Sequence, residues 1–379
     1  MVRISFVGLN KGGEVLPCRH TVGGLLVDCG TPSNNCRRTG KCLVCGLRVW
    51  GVAGMDGVRE KIEIKETYKN GFIMNESRKI VVVGSSNTDM TVQTERVPRP
   101  GETVLGGLFY TAQGGKGANQ AVAAARLGGE VCFVAKVGGD SFGEESIKAY
   151  RKEGIDTSLV GRSERAASGV ALIMVDGKGE NSIAVASGAN AELSVEDIVA
   201  AEECIKGAQI VLMQLETPIE TIAYAARLAA EAGVKAVLNP APAATLPKSL
   251  YKHLYMITPN ETEAELLTGI AVTDIESAAA AADVLAERGV KVVIITLGSK
   301  GAFVREASNR YLVPGQKVKA VDTTAAGDTF NGALCVALAE GAELVDAVDF
   351  ANKAAAIGVT RRGAQPSIPT RVEIKQYFG

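Results

Sequence analysis

From residue 78 onward, short apolar runs alternate with longer stretches in which apolar residues recur every three to four positions. The runs at 80–83, 131–134, 210–213, 236–238, 256–258 and 292–296 are continuous, as expected of strands buried on both faces of a parallel sheet. Helix-start signals lie between several of them. Thr217-Pro-Ile-Glu220 sets a capping box with proline at the first helical position, and Ser194-Val-Glu-Asp197 supplies another cap. Strands alternating with helices predict an α/β fold in which a mostly parallel central sheet lies between helical layers. Two stretches break the rhythm, 91–113 and 170–186. The second carries Asp176-Gly177-Lys178-Gly179, which reads as a hairpin turn.

Chemistry concentrates in two segments. In Asp322-Thr-Thr-Ala-Ala-Gly-Asp328, small residues and a carboxylate stand where a helix at 327–340 is predicted to begin. The first N–H groups of a helix lack internal partners and sit at the positive end of its dipole, so they attract phosphate oxygens. Small side chains let a phosphate come close. Asp328 could then accept a proton from a substrate hydroxyl, although the same residue, taken alone, would serve as the acidic cap of an ordinary helix. The second segment is Gly114-Gly-Lys-Gly-Ala-Asn-Gln120, leading into a helical run at 121–127. It has neither Walker A spacing nor a G-x-G-x-x-G fingerprint, and by itself it could be a glycine-rich turn. The two segments together are harder to explain as accidents of local structure.

On these two segments the chain resembles the PfkB family of carbohydrate kinases, the first of whose signatures matches 114–120 and the second 322–328. Further matches follow in family order: Gly84-Ser-Ser-Asn-Thr-Asp89, Pro100-Gly-Glu-Thr103, Met213-Gln-Leu-Glu216, Asn239-Pro-Ala-Pro242, Thr258-Pro-Asn-Glu-Thr-Glu263, Thr296-Leu-Gly-Ser-Lys-Gly301 and Arg361-Arg-Gly-Ala-Gln-Pro-Ser367. The resemblance implies a three-layer αβα kinase domain at 78–379 with a small β-sheet lid formed within 91–113 and 170–186. In the family such a lid covers the sugar and often pairs with a second subunit, implying a homodimer. Covering matters because water admitted to the γ-phosphate would hydrolyse ATP.

The activity implied is ATP-dependent phosphorylation of D-ribose at O5 to D-ribose 5-phosphate, by in-line transfer with Asp328 as base and an anion hole at 325–328. By position, the sugar contacts are Asn87, Asp89, Gly115, Lys116, Asn119, Glu216 and Asp328. The nucleotide side carries over to Asn260, Thr296, Gly298, Ser299, Lys300, Gly301, Ala326, Gly327 and Asn352. Asn260-Glu-Thr-Glu263 resembles the family element that organises Mg²⁺, with Glu263 acting through water. A K⁺ site is implied at Asp322, Thr324, Gly358, Arg361, Gly363 and Ser367; Thr324 and Gly358 are small departures from the family's usual residues. Two rival readings are a sister kinase acting on another pentose, fructose or a nucleoside, and a non-catalytic sugar sensor. A nucleoside kinase would need an aromatic base-binding surface, and aromatics make up only 5% of this chain. A sensor would have lost the base or an anion-hole glycine, whereas Asp328, Gly327, Lys116 and Glu263 are all present.

Composition narrows the rest. With 379 residues, 46% of them hydrophobic, and a net charge of −1, the chain can bury a large core and carries no basic field to recruit nucleic acid. No apolar run reaches the roughly 18 to 20 residues that span a bilayer, Arg48 interrupting the run at 44–55. Only His20 and His253 exist, and His253 reads as a helix-end or surface residue, so a general base has to be a carboxylate. Cys132, Cys204 and Cys335 read as buried small apolar residues, and Cys42-Leu-Val-Cys45 lacks a second pair at zinc-finger spacing. Residues 1–77 show no sustained periodicity. Within the first 50, Arg3, Lys11, Arg19, Arg37, Arg38, Lys41 and Arg48 face only Glu14 and Asp28, the basic bias of an organellar transit peptide, chloroplast in a plant, although serine is sparse. The alternatives are a disordered extension and a cytoplasmic protein.

Overall fold

The structure is a computed structural model that describes residues 79–379, together with the backbone of the short strands Ile4–Ser5, Arg19–Val22 and Leu25–Asp28. The chain divides into two units, Met1–Glu76 and Ser77–Gly379. In the first unit Leu25–Asp28 is the middle strand, parallel to Ile4–Ser5 and antiparallel to Arg19–Val22. The predicted leader and the pair Cys42 and Cys45 otherwise lie outside the described residues.

The second unit is built on a nine-stranded sheet. Seven strands run parallel in the spatial order Val292–Thr296, Met256–Ile257, Lys235–Leu238, Ile210–Met213, Lys79–Val83, Glu130–Gly138, Val160–Ser163. Beyond Val292–Thr296 the sheet continues antiparallel through Gly301–Glu306 and Asn309–Pro314. The continuous apolar runs are explained by the layers on either side. Ile80 and Val82 pack into one core with helices Lys116–Arg126, Ala326–Ala339 and Leu344–Gly358. Val81 and Val83 pack into the other with Ile219–Glu231, Glu261–Thr268 and Ile275–Glu287. Successive strand residues point to opposite faces, and each such burial contributes about 1.5–3 kcal/mol. The three-layer αβα architecture follows the predicted pattern, with strand bounds within a few residues of the apolar runs. Among the described residues no helix is long and apolar enough to cross a membrane.

The helices that carry the two signatures touch directly. A Cβ added to Gly332 would lie 2.6 Å from Ala123 Cβ and 2.8 Å from Gln120 O, so Lys116–Arg126 and Ala326–Ala339 meet nearly backbone to backbone. A separate four-stranded sheet has the order Asn181–Ala186, Gly169–Val175, Asn87–Gln93, Leu108–Gly114. Its central strand starts at Asn87, earlier than the predicted 91, because the residues entering it are polar and show no apolar alternation.

Two local expectations are corrected. Pro218, with φ −56° and ψ 129°, is the residue before helix Ile219–Glu231 rather than its first member, so Thr217 stands one position too early to cap and its Oγ1 is buried without a partner. Cys204 is only partly buried, because in its short helix Glu202–Lys206 the inward position is taken by Ile205, whereas Cys132 and Cys335 are buried. At Ser194 the predicted cap forms, with the Asp197 carboxylate accepting from Ser194 N at 2.8 Å.

Candidate active site

In a parallel sheet the carboxyl ends of the strands open a crevice on one side. Ser85 to Asn87, Gln214 to Glu216, Asn239 and Thr258 to Asn260 follow such ends, and Thr296 is the last residue of its strand.

The sugar-side candidates are brought together around the start of helix Lys116–Arg126. Glu216 Oε2 accepts from Lys116 N at 2.9 Å and from Ser85 Oγ at 2.5 Å, so this carboxylate pairs the first N–H of the helix and ties it to the loop that follows strand Lys79–Val83. Ser85 Oγ in turn accepts from Gly117 N at 3.2 Å. Gly115 adopts φ 88°, open to glycine, and a Cβ there would press on Asn87 N at 2.8 Å. Asp89 sits against Gly114, where a Cβ would collide with both carboxylate oxygens. Asn190, which carries no sequence signal, organises this corner: its Oδ1 accepts from Ser86 N at 2.8 Å, and its Nδ2 donates to Ser86 O at 3.1 Å and to Asn87 Oδ1 at 2.7 Å.

Asp328 lies in the first turn of Ala326–Ala339 and is only 6% exposed. Its Oδ2 accepts from Asn119 Nδ2 at 3.0 Å and its Oδ1 from Gln120 Nε2 at 2.9 Å. Asn119 Oδ1 is buried without a protein partner, an acceptor with unused capacity beside Asp328. Burial raises Asp328 above the usual carboxylate range, against the pull of Lys116 and the two amides. Asp89 is pushed up to about 7 by burial, then by the charges of Glu216 and Asp328. Burial works against the Lys116 ammonium, but Asp328, Glu216 and Glu263 outweigh it, and its pKa is raised. The charged groups therefore form one coupled cluster.

Before Asp328 the backbone makes a sharp entry. Ala325 has φ 58°, a left-handed conformation that costs a non-glycine residue about 1 kcal/mol or more. Among the described residues the N–H groups of Ala325, Gly327 and Asp328 have no protein partner, while Ala326 N donates to Thr323 O at 3.2 Å. A Cβ on Gly327 would meet nothing within 4 Å, so this end of the helix is open. Three of the four amides in the predicted anion hole are thus available, and that of Ala326 is engaged.

On the nucleotide side, Asn260 and Glu263 form a reciprocal cap: Glu263 N donates to Asn260 Oδ1 at 2.8 Å and Asn260 N to Glu263 Oε2 at 2.9 Å. Glu263 is 7% exposed rather than a solvated helix residue, and burial raises its pKa. Asn260 pairs with Thr296 as an isolated bridge, which joins this cap to the turn Gly298–Lys300 and to Gly301. Ser299 and Lys300 are exposed there. Both amide hydrogens of Asn352 are committed to backbone, donating to Val313 O and Pro314 O at 3.2 Å each, which leaves its Oδ1 for any ligand.

The loops behind the anion hole converge on Asp322. Its Oδ1 accepts from Thr324 N at 2.9 Å and Thr324 Oγ1 at 2.6 Å, and its Oδ2 from Gly363 N at 2.8 Å. Burial opposes ionisation of Asp322, but these donors prevail and lower its pKa. The bond from Gly363 N joins 322–324 to 358–367, where a Cβ on Gly358 would stand 3.9 Å from Ser367 O. The Arg361 side chain points away into an ion pair with Glu373 at 2.6 Å.

Comparison with known proteins follows the same lines. A ribokinase of Haemophilus influenzae is 47% identical over 299 residues, covering 79% of this chain and 98% of that one. A deoxyribokinase of Salmonella typhi is 38% identical over 300 residues, covering 79% and 98%. The structure of Arabidopsis thaliana ribokinase complexed with ribose and ATP superimposes with a TM-score of 0.74 at 34% identity, covering 79% of this chain and 97% of that one. Residues 77–371 match the pfkB family carbohydrate kinase profile, and with relatives this similar along nearly their full length, the chain belongs to the pfkB family of carbohydrate kinases.

Proposed function

We propose that the chain transfers the γ-phosphoryl group of ATP to O5 of D-ribose, giving D-ribose 5-phosphate and ADP. The observation that carries this is a buried carboxylate, Asp328, held by two amide donors in the first turn of a helix whose opening N–H groups are unpaired. Asp328 accepts the O5 proton, and its raised pKa brings its basicity closer to that of a useful general base. The amides of Gly327 and Asp328 stabilise charge on the transferring group. Asn87, Asp89, Asn119, Lys116 and Glu216 orient the sugar, and the lid keeps water from the phosphate.

Glu263 suits a water-mediated Mg²⁺ shell, since one of its oxygens is fixed by the cap and the buried carboxylate gains from an added cation. When bound, Mg²⁺ would neutralise charge on the ATP phosphates. The corner lined by Asp322, Thr324, Gly358, Gly363 and Ser367 offers the hard oxygen donors that suit K⁺, with Arg361 contributing only through its backbone. The lid favours a homodimer, because it is a single-layer sheet with apolar side chains exposed on both faces: Val92, Phe109 and Met174 on one, Tyr110, Ile183 and Val185 on the other. The basic, acid-poor start of the chain supports an organellar location.

The test is ADP release by the full chain with Mg-ATP and K⁺, across D-ribose, 2-deoxyribose, fructose, adenosine and no sugar. Preference for ribose is the expected result; turnover of a different acceptor would reassign the substrate, and ribose binding without turnover would mark a sensor. Asp328→Asn is expected to lower kcat by roughly a thousandfold while sparing ribose binding, and near-normal turnover would remove Asp328 as base.

A further inference from the structure

Behind Asp328 lies a run of buried side-chain amides that neither sugar nor nucleotide contacts account for. Gln214 Nε2 donates to Gln120 Oε1 at 2.6 Å. Gln120 Nε2 uses one hydrogen on Asp328 Oδ1 at 2.9 Å and the other on Asn239 Oδ1 at 3.0 Å. Asn239 Nδ2 donates to Thr258 O at 3.2 Å, Thr258 Oγ1 to Asn331 Oδ1 at 2.7 Å, and Asn331 Nδ2 to the Gly327 carbonyl at 2.8 Å. None of these six side chains is more than 6% exposed. The run thus starts at a strand end, touches the carboxylate of Asp328, and finishes on the peptide that precedes the Asp328 N–H.

The directions of Gln120, Asn239 and Asn331 are fixed by their neighbours, whereas Gln214 takes its direction from Gln120 alone, its Oε1 being buried without a partner. Were Gln120 reversed, its carbonyl oxygen would face the Asp328 carboxylate and the Asn239 carbonyl oxygen, and its NH₂ would face the NH₂ of Gln214, three repulsive contacts in place of three hydrogen bonds. Gln120 therefore presents a hydrogen to the Asp328 carboxylate.

We infer that Gln120 is a positioning residue for phosphoryl transfer, holding the Asp328 carboxylate in its ionised form and in a single orientation, with the Gln214 donor reinforcing the polarity of the Gln120 amide. This rests on the reading of Asp328 as the base. The hydrogen bonds of Gln120 go to Asp328, Asn239 and Gln214, so its loss should act on turnover rather than on sugar affinity. Removing a donor from a carboxylate favours the protonated acid, which moves the acid limb of the rate profile upward.

The experiment is kcat and KM for ribose across about pH 5 to 9 with the full chain, as wild type, Gln120→Met and Gln214→Leu. For Gln120→Met the acid limb of kcat is expected to move up by about one pH unit, with kcat on that limb reduced by up to about tenfold and recovering at high pH, and KM changed by less than about twofold. Gln214→Leu leaves Gln120 in place and should move the limb the same way by less. A purely structural role would lower the melting temperature and scale the whole profile without moving it. Wild-type acid limbs in both variants would overturn the inference, and if Gln120→Met does not fold, Gln214→Leu alone decides. Absence of ribose-dependent turnover in the wild type would instead overturn the functional reading beneath it.

Discussion

At Asp89, burial and then the charges of Glu216 and Asp328 raise the carboxyl to about 7, from an ordinary value of 3.8. The folded chain thus holds this proton more tightly than the unfolded chain does. The stability it contributes is fully present below the unfolded value and lost as pH rises through about 7. Asp328 and Glu263, also raised by burial, act in the same direction. Asp89→Asn is therefore expected to increase the melting temperature at pH 8 by a few degrees and to weaken ribose binding at least about tenfold. Thermal melts across pH with a ribose titration check this, and identical pH slopes for the two proteins would remove Asp89 as the source. Asp328, Lys116 and Asn119 were legible in the sequence because they sit at fixed spacing among glycines. Gln120 was visible only as the residue that ends the same segment, since nothing local shows that its amide reaches Asp328. Asn190 gave no signal at all, because it works by reaching across the fold to Ser86 and Asn87.

Among the elements, the start of helix Lys116–Arg126 depends on partners from two other strand ends, Ser85 and Glu216. Ser85→Ala removes one donor to Glu216 and one acceptor for Gly117 N. A loss of about 1–2 kcal/mol in urea unfolding is expected, with ribose KM affected less than by Glu216→Ala. Equal KM effects would mean that Ser85 itself contacts the sugar. The central strands were legible nearly to the residue because a strand covered on both faces must be apolar throughout, as in Ile210–Met213, where all four residues are buried. The lid's first strand was not, since Asn87 and Asp89 belong to it and their chemistry conceals the alternation. The Thr217 cap failed for a different reason: proline can stand either just before or just inside a helix, and tertiary packing decided between the two.

For the molecule as a whole, the proposed dimer makes a prediction about the exposed apolar side chains of the lid, which a second copy would cover. Ile183→Lys or Phe109→Lys should shift sedimentation from dimer to monomer while leaving the unfolding of the αβα body unchanged, and an unshifted wild-type monomer would remove the dimer. The broken rhythm of the sequence marked the two stretches of this sheet, and the family resemblance supplied their role as a lid and its pairing with a second subunit; which side chains stay exposed was not legible, because exposure depends on strands brought together from far apart in the chain. One edge of the lid has a further consequence. All six residues of strand Asn181–Ala186 are exposed and it has a single neighbouring strand, so its order depends on whatever docks against it. With a second copy as that support, the fraction of molecules able to shield the phosphate would rise with protein concentration. Specific activity would then fall on dilution, and a cell that doubled the amount of this protein would more than double its flux.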